Sequence, residues 1–120
     1  MRRHTAATLV RTPEAARQAR RIVSATCTDW RITTLEPDAE IVASELVENT
    51  LQHTDSPPRL RLVLHDGALT VAVSDSGAGP PAGEHWRGLG MRLVAGVAEA
   101  WGCTTARAGK TVWAVLSTRR

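Results

Sequence analysis

Glu45 and Asn49 lie four residues apart in the run Glu45-Leu46-Val47-Glu48-Asn49, so on a helix they share one edge. A carboxylate and an amide oxygen presented together are hard-oxygen donors of the kind that hold Mg²⁺, which takes one or two protein oxygens and completes its shell with phosphates and water. Asp75 follows a strand-like run and opens Asp75-Ser76-Gly77-Ala78-Gly79. A carboxylate partly buried at a strand end must find donors, and an exocyclic amine supplies one. Gly77 and Gly79 then allow close backbone approach to a flat ring. In Gly88-Leu89-Gly90-Met91 a glycine pair leads into an apolar helix, where backbone N–H groups at the positive helix end suit phosphate oxygens. Each signal alone has an ordinary structural explanation, respectively a solvated helix face, an Asp-Ser-Gly turn and a tight helix entry. In this order along one chain they describe a pocket for a nucleotide and a divalent metal ion.

The elements that must position these groups can be read from periodicity. Thr8-Leu9-Val10 reads as a short strand. Thr12-Pro13-Glu14 is a helix opening, with Thr12 as N-cap and Pro13 at the first helical position, and the helix runs to about Thr28. Its apolar face is Ala15, Ala19, Ile22, Val23 and Thr26. Glu36-Pro37-Asp38 starts a second helix that ends near His53, with Ala39, Val42, Ala43, Leu46, Val47 and Thr50 as its buried stripe. Leu60, Leu62 and Leu64 alternate with other residues in a strand, Asp66-Gly67 is a hairpin turn, and Leu69, Val71 and Val73 alternate in the returning strand. A mostly apolar helix from Gly90 to Ala98 precedes an antiparallel pair, about 100–106 and 111–117, joined through Ala108-Gly109-Lys110. Strand, two helices, hairpin, helix and hairpin is not βαβ alternation. It points to an α+β two-layer sandwich, a mixed and mainly antiparallel sheet with helices on one face.

At 120 residues the chain is expected to form one domain, residues 1–120, with one core. No apolar stretch approaches the roughly 18 residues of a membrane span, and Met1-Arg2-Arg3-His4 lacks the apolar run of a signal peptide, so no membrane partner and a cytoplasmic location are expected. Cys27 and Cys103 have no metal-like spacing and read as reduced, packed thiols. The net charge is +3, but the basic residues form no run, and the chain has no Tyr or Phe and four scattered Trp. Nucleic acid is therefore not an expected partner. Ala108-Gly109-Lys110-Thr111 resembles the end of a P-loop, yet Thr104 stands where the first glycine belongs and a strand follows where a helix is needed, so it is not a Walker motif.

Taken jointly, these residues resemble the ATP-binding domain shared by histidine kinases, DNA gyrase, the ATP-dependent heat-shock chaperones and the MutL mismatch-repair proteins. Glu45-Leu46-Val47-Glu48-Asn49-Thr50-Leu51-Gln52-His53 is similar to that superfamily's N box, Asp75-x-Gly77-x-Gly79 to its first glycine box, and Gly88-Leu89-Gly90 to its second. The near-minimal length, the Glu-Leu-Val-x-Asn form of the N box and the ending Gly109-Lys110-Thr111-Val112-Trp113 most resemble the small bacterial anti-sigma-factor serine kinases. The resemblance implies the Bergerat ATP-binding fold, with ATP and Mg²⁺ as ligands. Asn49 would coordinate Mg²⁺, Asp75 would accept a hydrogen bond from the adenine amino group, Gly77 and Gly79 would shape the base pocket, and Gly88 and Gly90 would face the phosphates. Thr111 would approach the adenine beside Asp75. Glu45 would be the general base and Arg17, in the first helix, a residue linked to phosphotransfer and partner contact.

The implied function is an anti-sigma factor and protein serine kinase that phosphorylates an anti-anti-sigma antagonist, with partner recognition, and possible homodimer formation, at the N-terminal helix. Two alternatives stand beside it: a non-catalytic module that holds ATP and regulates a partner, and a small ATPase in which Glu45 activates water. The eight-residue segment Pro80 to Arg87 is shorter than the lid often found between the glycine boxes, and a short lid points to weaker nucleotide retention or to closure by a partner.

Overall fold

A computed structural model of the chain describes residues 2–76, 89–107 and 109–118. Five strands form one sheet: β1 (Arg2–Thr8), β2 (Arg59–His65), β3 (Ala68–Asp75), β4 (Ala100–Ala106) and β5 (Gly109–Ser117). Their spatial order is β1-β2-β3-β5-β4, and every pairing is antiparallel, with no parallel component among the described strands. Three helices complete the fold: α1 (Ala15–Asp29), α2 (Glu36–His53) and α3 (Leu89–Val97). α2 packs on β3 and β5 and is flanked by α1 and α3. This is the two-layer α+β arrangement expected.

Strand alternation sorts the sheet into two faces. Leu60 and Leu62 of β2, Leu69, Val71 and Val73 of β3, and Val112, Ala114 and Leu116 of β5 are buried toward the helices. α2 answers with Ala39, Val42, Ala43, Leu46, Val47 and Thr50, the stripe read from its periodicity. Burying one such Leu or Val side chain contributes about 1.5–3 kcal/mol, so the α2–sheet contact holds the fold's centre. The Asp66-Gly67 turn has φ of 50° and 79°, the double positive φ that a two-residue type I′ hairpin requires.

The N-terminal region departs from expectation twice. The strand is Arg2–Thr8 rather than 8–10, and Leu9, 1% exposed, has already left it, its N–H donating to the carbonyl of Pro58 at 2.8 Å. Arg-Arg-His-Thr-Ala-Ala-Thr carries no apolar alternation; it is an edge strand, formed because β2 offers a ladder from Arg59 to His65. α1 begins at Ala15, not Pro13, and Glu14 is its N-cap without a side-chain hydrogen bond. Thr12 instead closes a preceding turn, its carbonyl accepting from the Ala15 N–H at 3.0 Å.

Candidate functional site

Glu45 and Asn49 lie on one edge of α2, both half-buried, beside Leu46, Val47 and Thr50 in the core. Burial, reinforced by the charge of Glu48, raises the Glu45 carboxyl above the usual carboxylate range. A carboxylate with a raised pKa is a better proton acceptor, the property a general base needs.

The carboxyl end of α2 is held from three directions. The Thr50 hydroxyl donates to the Leu46 carbonyl at 3.2 Å within the helix. Arg11 reaches across 40 residues of sequence and donates from one guanidinium nitrogen to the carbonyls of Leu51 and Thr54, each at 2.7 Å. A cation at a helix C-terminus satisfies orphan carbonyls and complements the dipole. Beyond the helix, the Thr54 hydroxyl accepts from the Ser56 N–H at 3.3 Å, and the Ser56 hydroxyl accepts from the Ser76 N–H at 3.0 Å. Ser76 follows Asp75 directly, so the Asn49 end of α2 and the Asp75 end of β3 are stapled together.

Asp75 ends β3 on the helix-facing side of the sheet, one alternation beyond Val73, with its side chain 3% exposed. Its Oδ2 lies 3.1 Å from Nζ of Lys110, itself only 12% exposed. The β3–β5 register sets Asp75 opposite Lys110 and Ser74 opposite Thr111. The resemblance implies that Thr111 approaches the adenine beside Asp75; in the structure the Thr111 hydroxyl lies 2.8 Å from that of Ser74, and Lys110 stands across the ladder from Asp75. The approach depends on Gly109, whose φ is +146° and where a Cβ would overlap the Asp75 carbonyl. Cys103, half-buried on β4, feels the same pair: burial raises its thiol pKa, Lys110 lowers it and Asp75 raises it. Cys27, buried on the inner face of α1, is pushed up to about 11 by burial and by Glu36 and Glu40.

Of the other expected site residues, Gly77, Gly79 and Gly88 lie outside the described residues, as does the segment Pro80 to Arg87. Gly90 is in the first turn of α3, which starts at Leu89 as the glycine-led entry suggests. Arg17 is exposed on α1. The two helices run antiparallel, with Arg20 donating to the Ser44 hydroxyl at 2.9 Å and Arg11 to Leu51, and these contacts bracket Arg17 at the level of 44–51, where Glu45 and Asn49 stand. A cavity of about 400 Å³ lies at the other end of the fold, between Leu35 and Asp38 at the start of α2, Val97 to Glu99, and Leu116 and Ser117 at the end of β5. None of the candidate residues lines it.

Three contributors escape sequence reasoning. Arg11 and Ser56 act through contacts 40 and 20 residues away, with no local signature. Lys110 is visible in the sequence as the single lysine, but its place in a false P-loop string draws attention from its strand position.

The donor set fits Mg²⁺: one amide and one carboxylate oxygen, half-buried on a shared edge, leave the remaining positions for phosphate and water. Among the described residues no group of three or more His, Cys, Asp or Glu side chains gathers as a self-sufficient metal cage. No curated protein sequence matches the chain. Residues 9–116 match the family model of the histidine kinase-like ATPase domain. The matched span runs from just before α1 into the last turns of the sheet and contains Glu45, Asn49, Asp75 and Lys110, so the chain belongs to the histidine kinase-like ATPase family and is an ATP-binding domain of that kind.

Proposed function

We propose that this domain is an ATP-dependent protein serine kinase that also acts as an anti-sigma factor, binding a sigma factor in one state and phosphorylating an anti-anti-sigma antagonist in another. The observation that carries the catalytic part is the half-buried Glu45, its carboxyl raised by burial, one helical turn from Asn49 on the edge of α2 that is stapled to the Asp75 strand end. In this reading Glu45 takes the proton from a partner serine hydroxyl as the serine oxygen bonds to the γ-phosphorus and the bond to ADP breaks. Asp75 orients the base. Asn49, with Glu45 close by, would hold Mg²⁺, which supplies charge neutralisation to the phosphates when bound. The exposed Arg17 on α1, at the level of this edge, meets the incoming protein, and Val10, 68% exposed just before α1, extends the same surface toward a partner or a second copy of the chain.

Incubation with γ-labelled ATP and small candidate antagonist proteins tests the proposal. Label is expected on a partner serine with wild type and not with Glu45→Ala, which retains nucleotide. Phosphate release without any protein partner would instead make the domain an ATPase in which Glu45 activates water. ATP binding with neither transfer nor release would leave a module that holds ATP as a structural ligand.

A further inference from the structure

The helices pack on one face of the sheet, against Leu62, Val71 and Ala114, and alternation sends the intervening side chains to the opposite face. Set out by register, that second face is divided. β1 and β2 bring Arg2, Arg59 and Arg61 to it, with His4 and His65. β3, β5 and β4 bring small and apolar groups, with Ala72, Trp113 and Val115 at the centre. None of the strand residues that alternation puts on this face carries a carboxylate. Asp66, in the hairpin turn at the rim, has Oδ2 3.5 Å from Nδ1 of His65. The basic residues form no run in the sequence because strand geometry spaces the members of one face two apart.

The middle row of the face is Arg61, Ala72, Trp113 and Gly102. Ala72 is only 4% exposed, flanked in register by the guanidinium-bearing Arg61 and the indole of Trp113. Trp113 reaches over Gly102, where a Cβ would come within 2.8 Å of the indole ring. Arg61 Nε is shut off from solvent and has no hydrogen-bond partner, alone in this among the buried side-chain nitrogen and oxygen atoms of the described residues. A buried donor left unpaired is costly, and folds rarely keep one without a use. The acceptor that suits a guanidinium best is a carboxylate, and this face has none of its own.

The basic strip follows β2 for about 20 Å, seven residues at roughly 3.3 Å each, with the apolar strip alongside. A matching occupant is acidic on one side and apolar on the other. The backbone groups of β2, β3 and β5 are taken by ladders on both edges, so the face is read through side chains, as one packed layer reads another. An amphipathic helix of three to four turns covers about 20 Å. Its apolar stripe would lie on Trp113 and Val115 and its carboxylates on Arg59 and Arg61. A single-stranded nucleic acid calls for several stacking aromatics, and Trp113 is the only aromatic that alternation puts on this face.

We propose that the helix-free face of the sheet is a docking surface for an acidic amphipathic helix of a partner protein. Asp75 and Lys110 are on the other face and Glu45 is on α2, so docking here is independent of the nucleotide reading.

The test is titration of a helical peptide of about 18 residues, with a Leu and Ala stripe and a Glu flank, into the ¹⁵N-labelled full chain. Backbone amide shifts are expected to concentrate in 59–65, 70–73 and 112–116. The same peptide with Gln for Glu is expected to bind about tenfold more weakly or worse, because the charge pairs are lost. Arg59→Glu with Arg61→Glu is expected to weaken the acidic peptide by a similar factor, to bind a peptide with Lys for Glu instead, and to bind Mg·ATP as wild type does. Equal binding of the Glu and Gln peptides overturns the proposal on wild type alone, whether or not the variant folds. So does an acidic peptide that leaves the sheet unshifted at millimolar concentration or shifts only α1 or α3. Oligouridylate or anionic vesicles that shift this face at lower concentration than the peptide overturn it too, assigning the face to nucleic acid or lipid. A wild type that binds the peptide but not Mg·ATP upholds the docking surface and removes the nucleotide reading alone.

Discussion

The hydroxyl of Ser56 accepts a hydrogen bond from the backbone N–H of Ser76 at 3.0 Å, joining the loop after α2 to the residue after Asp75. Two groups that the proposed function assigns to one ligand, the amide of Asn49 on a helix and the carboxylate of Asp75 on a strand, are thereby referred to one frame. Arg11 pulls on the same frame from the N-terminal side. The site is built from the ends of elements, and what fixes it is the set of contacts between those ends.

Asp75→Asn keeps the side chain's size and removes its charge. Binding of Mg·ATP is expected to weaken by about 1.5–3 kcal/mol, the value of a hydrogen bond to a charged group. The melting temperature should fall as well, because Lys110 then loses its buried counter-charge. Titration calorimetry and thermal denaturation of the same samples report both. Unchanged affinity would show that the base is read elsewhere.

Glu45→Gln should separate stability from activity, and the sign follows from the burial of the carboxyl. Its pKa is raised in the folded protein, so the fold holds that proton more tightly than the unfolded chain does. Stability is therefore lost as pH rises from the unfolded value through the raised folded one, and the penalty is constant above it. Glu45→Gln is expected to be more stable than wild type at pH 7 and to lose that advantage near pH 3, where both states of wild type are protonated. Urea denaturation at the two pH values measures it. An advantage of the same size at both would assign the effect to packing rather than to charge.

Gly109→Ala is expected to cost at least about 2 kcal/mol, since the positive φ and the overlap with the Asp75 carbonyl act together. The structural consequence is specific: β5 must move away from the end of β3, and the Asp75–Lys110 contact opens. Gly96 is the control. It sits in a helix, and a Cβ there would meet no atom within 4 Å, so alanine should be neutral or stabilising. Denaturant midpoints of the two variants check the contrast.

Arg11→Ala removes two hydrogen bonds, one to the Leu51 carbonyl in the last turn of α2 and one to the Thr54 carbonyl just beyond it. The side chain is exposed, so the loss of stability should be about 1 kcal/mol. Nucleotide affinity should fall with it, since the Asn49 end of α2 loses an anchor. Hydrogen exchange at 50–54 is the direct readout. Unaltered protection there would mean that the Thr50 and Thr54 contacts hold the helix end by themselves.

Wherever burial alternates with period, the chain's architecture is legible in its residues. The stripe from Ala39 to Thr50 reads as one face of a helix, and the leucines and valines of 60–73 read as a hairpin around Asp66-Gly67, because local geometry turns apolar spacing directly into a buried surface. The shared edge of Glu45 and Asn49 follows from the same helical spacing, and the position of Asp75 at a strand end follows from the alternation before it. β1 is not legible in this way. Arg2–Thr8 has no apolar pattern and becomes a strand only through the ladder that β2 provides.

Partnerships across the fold are decided by the tertiary structure alone. Sequence order puts Lys110 and Thr111 side by side, and nothing local says which of them meets Asp75; the register of β5 against β3 does, and a one-residue step moves a side chain to the opposite face of the sheet. Arg11 and Ser56 carry no motif, and their roles arise from closing loops that bring distant carbonyls and N–H groups within hydrogen-bonding distance. The residue types and periods of this chain thus determine its elements and the chemistry it can present. The register and the loop contacts determine which of those groups meet, because hydrogen bonds and ion pairs depend on distances that only the assembled fold sets.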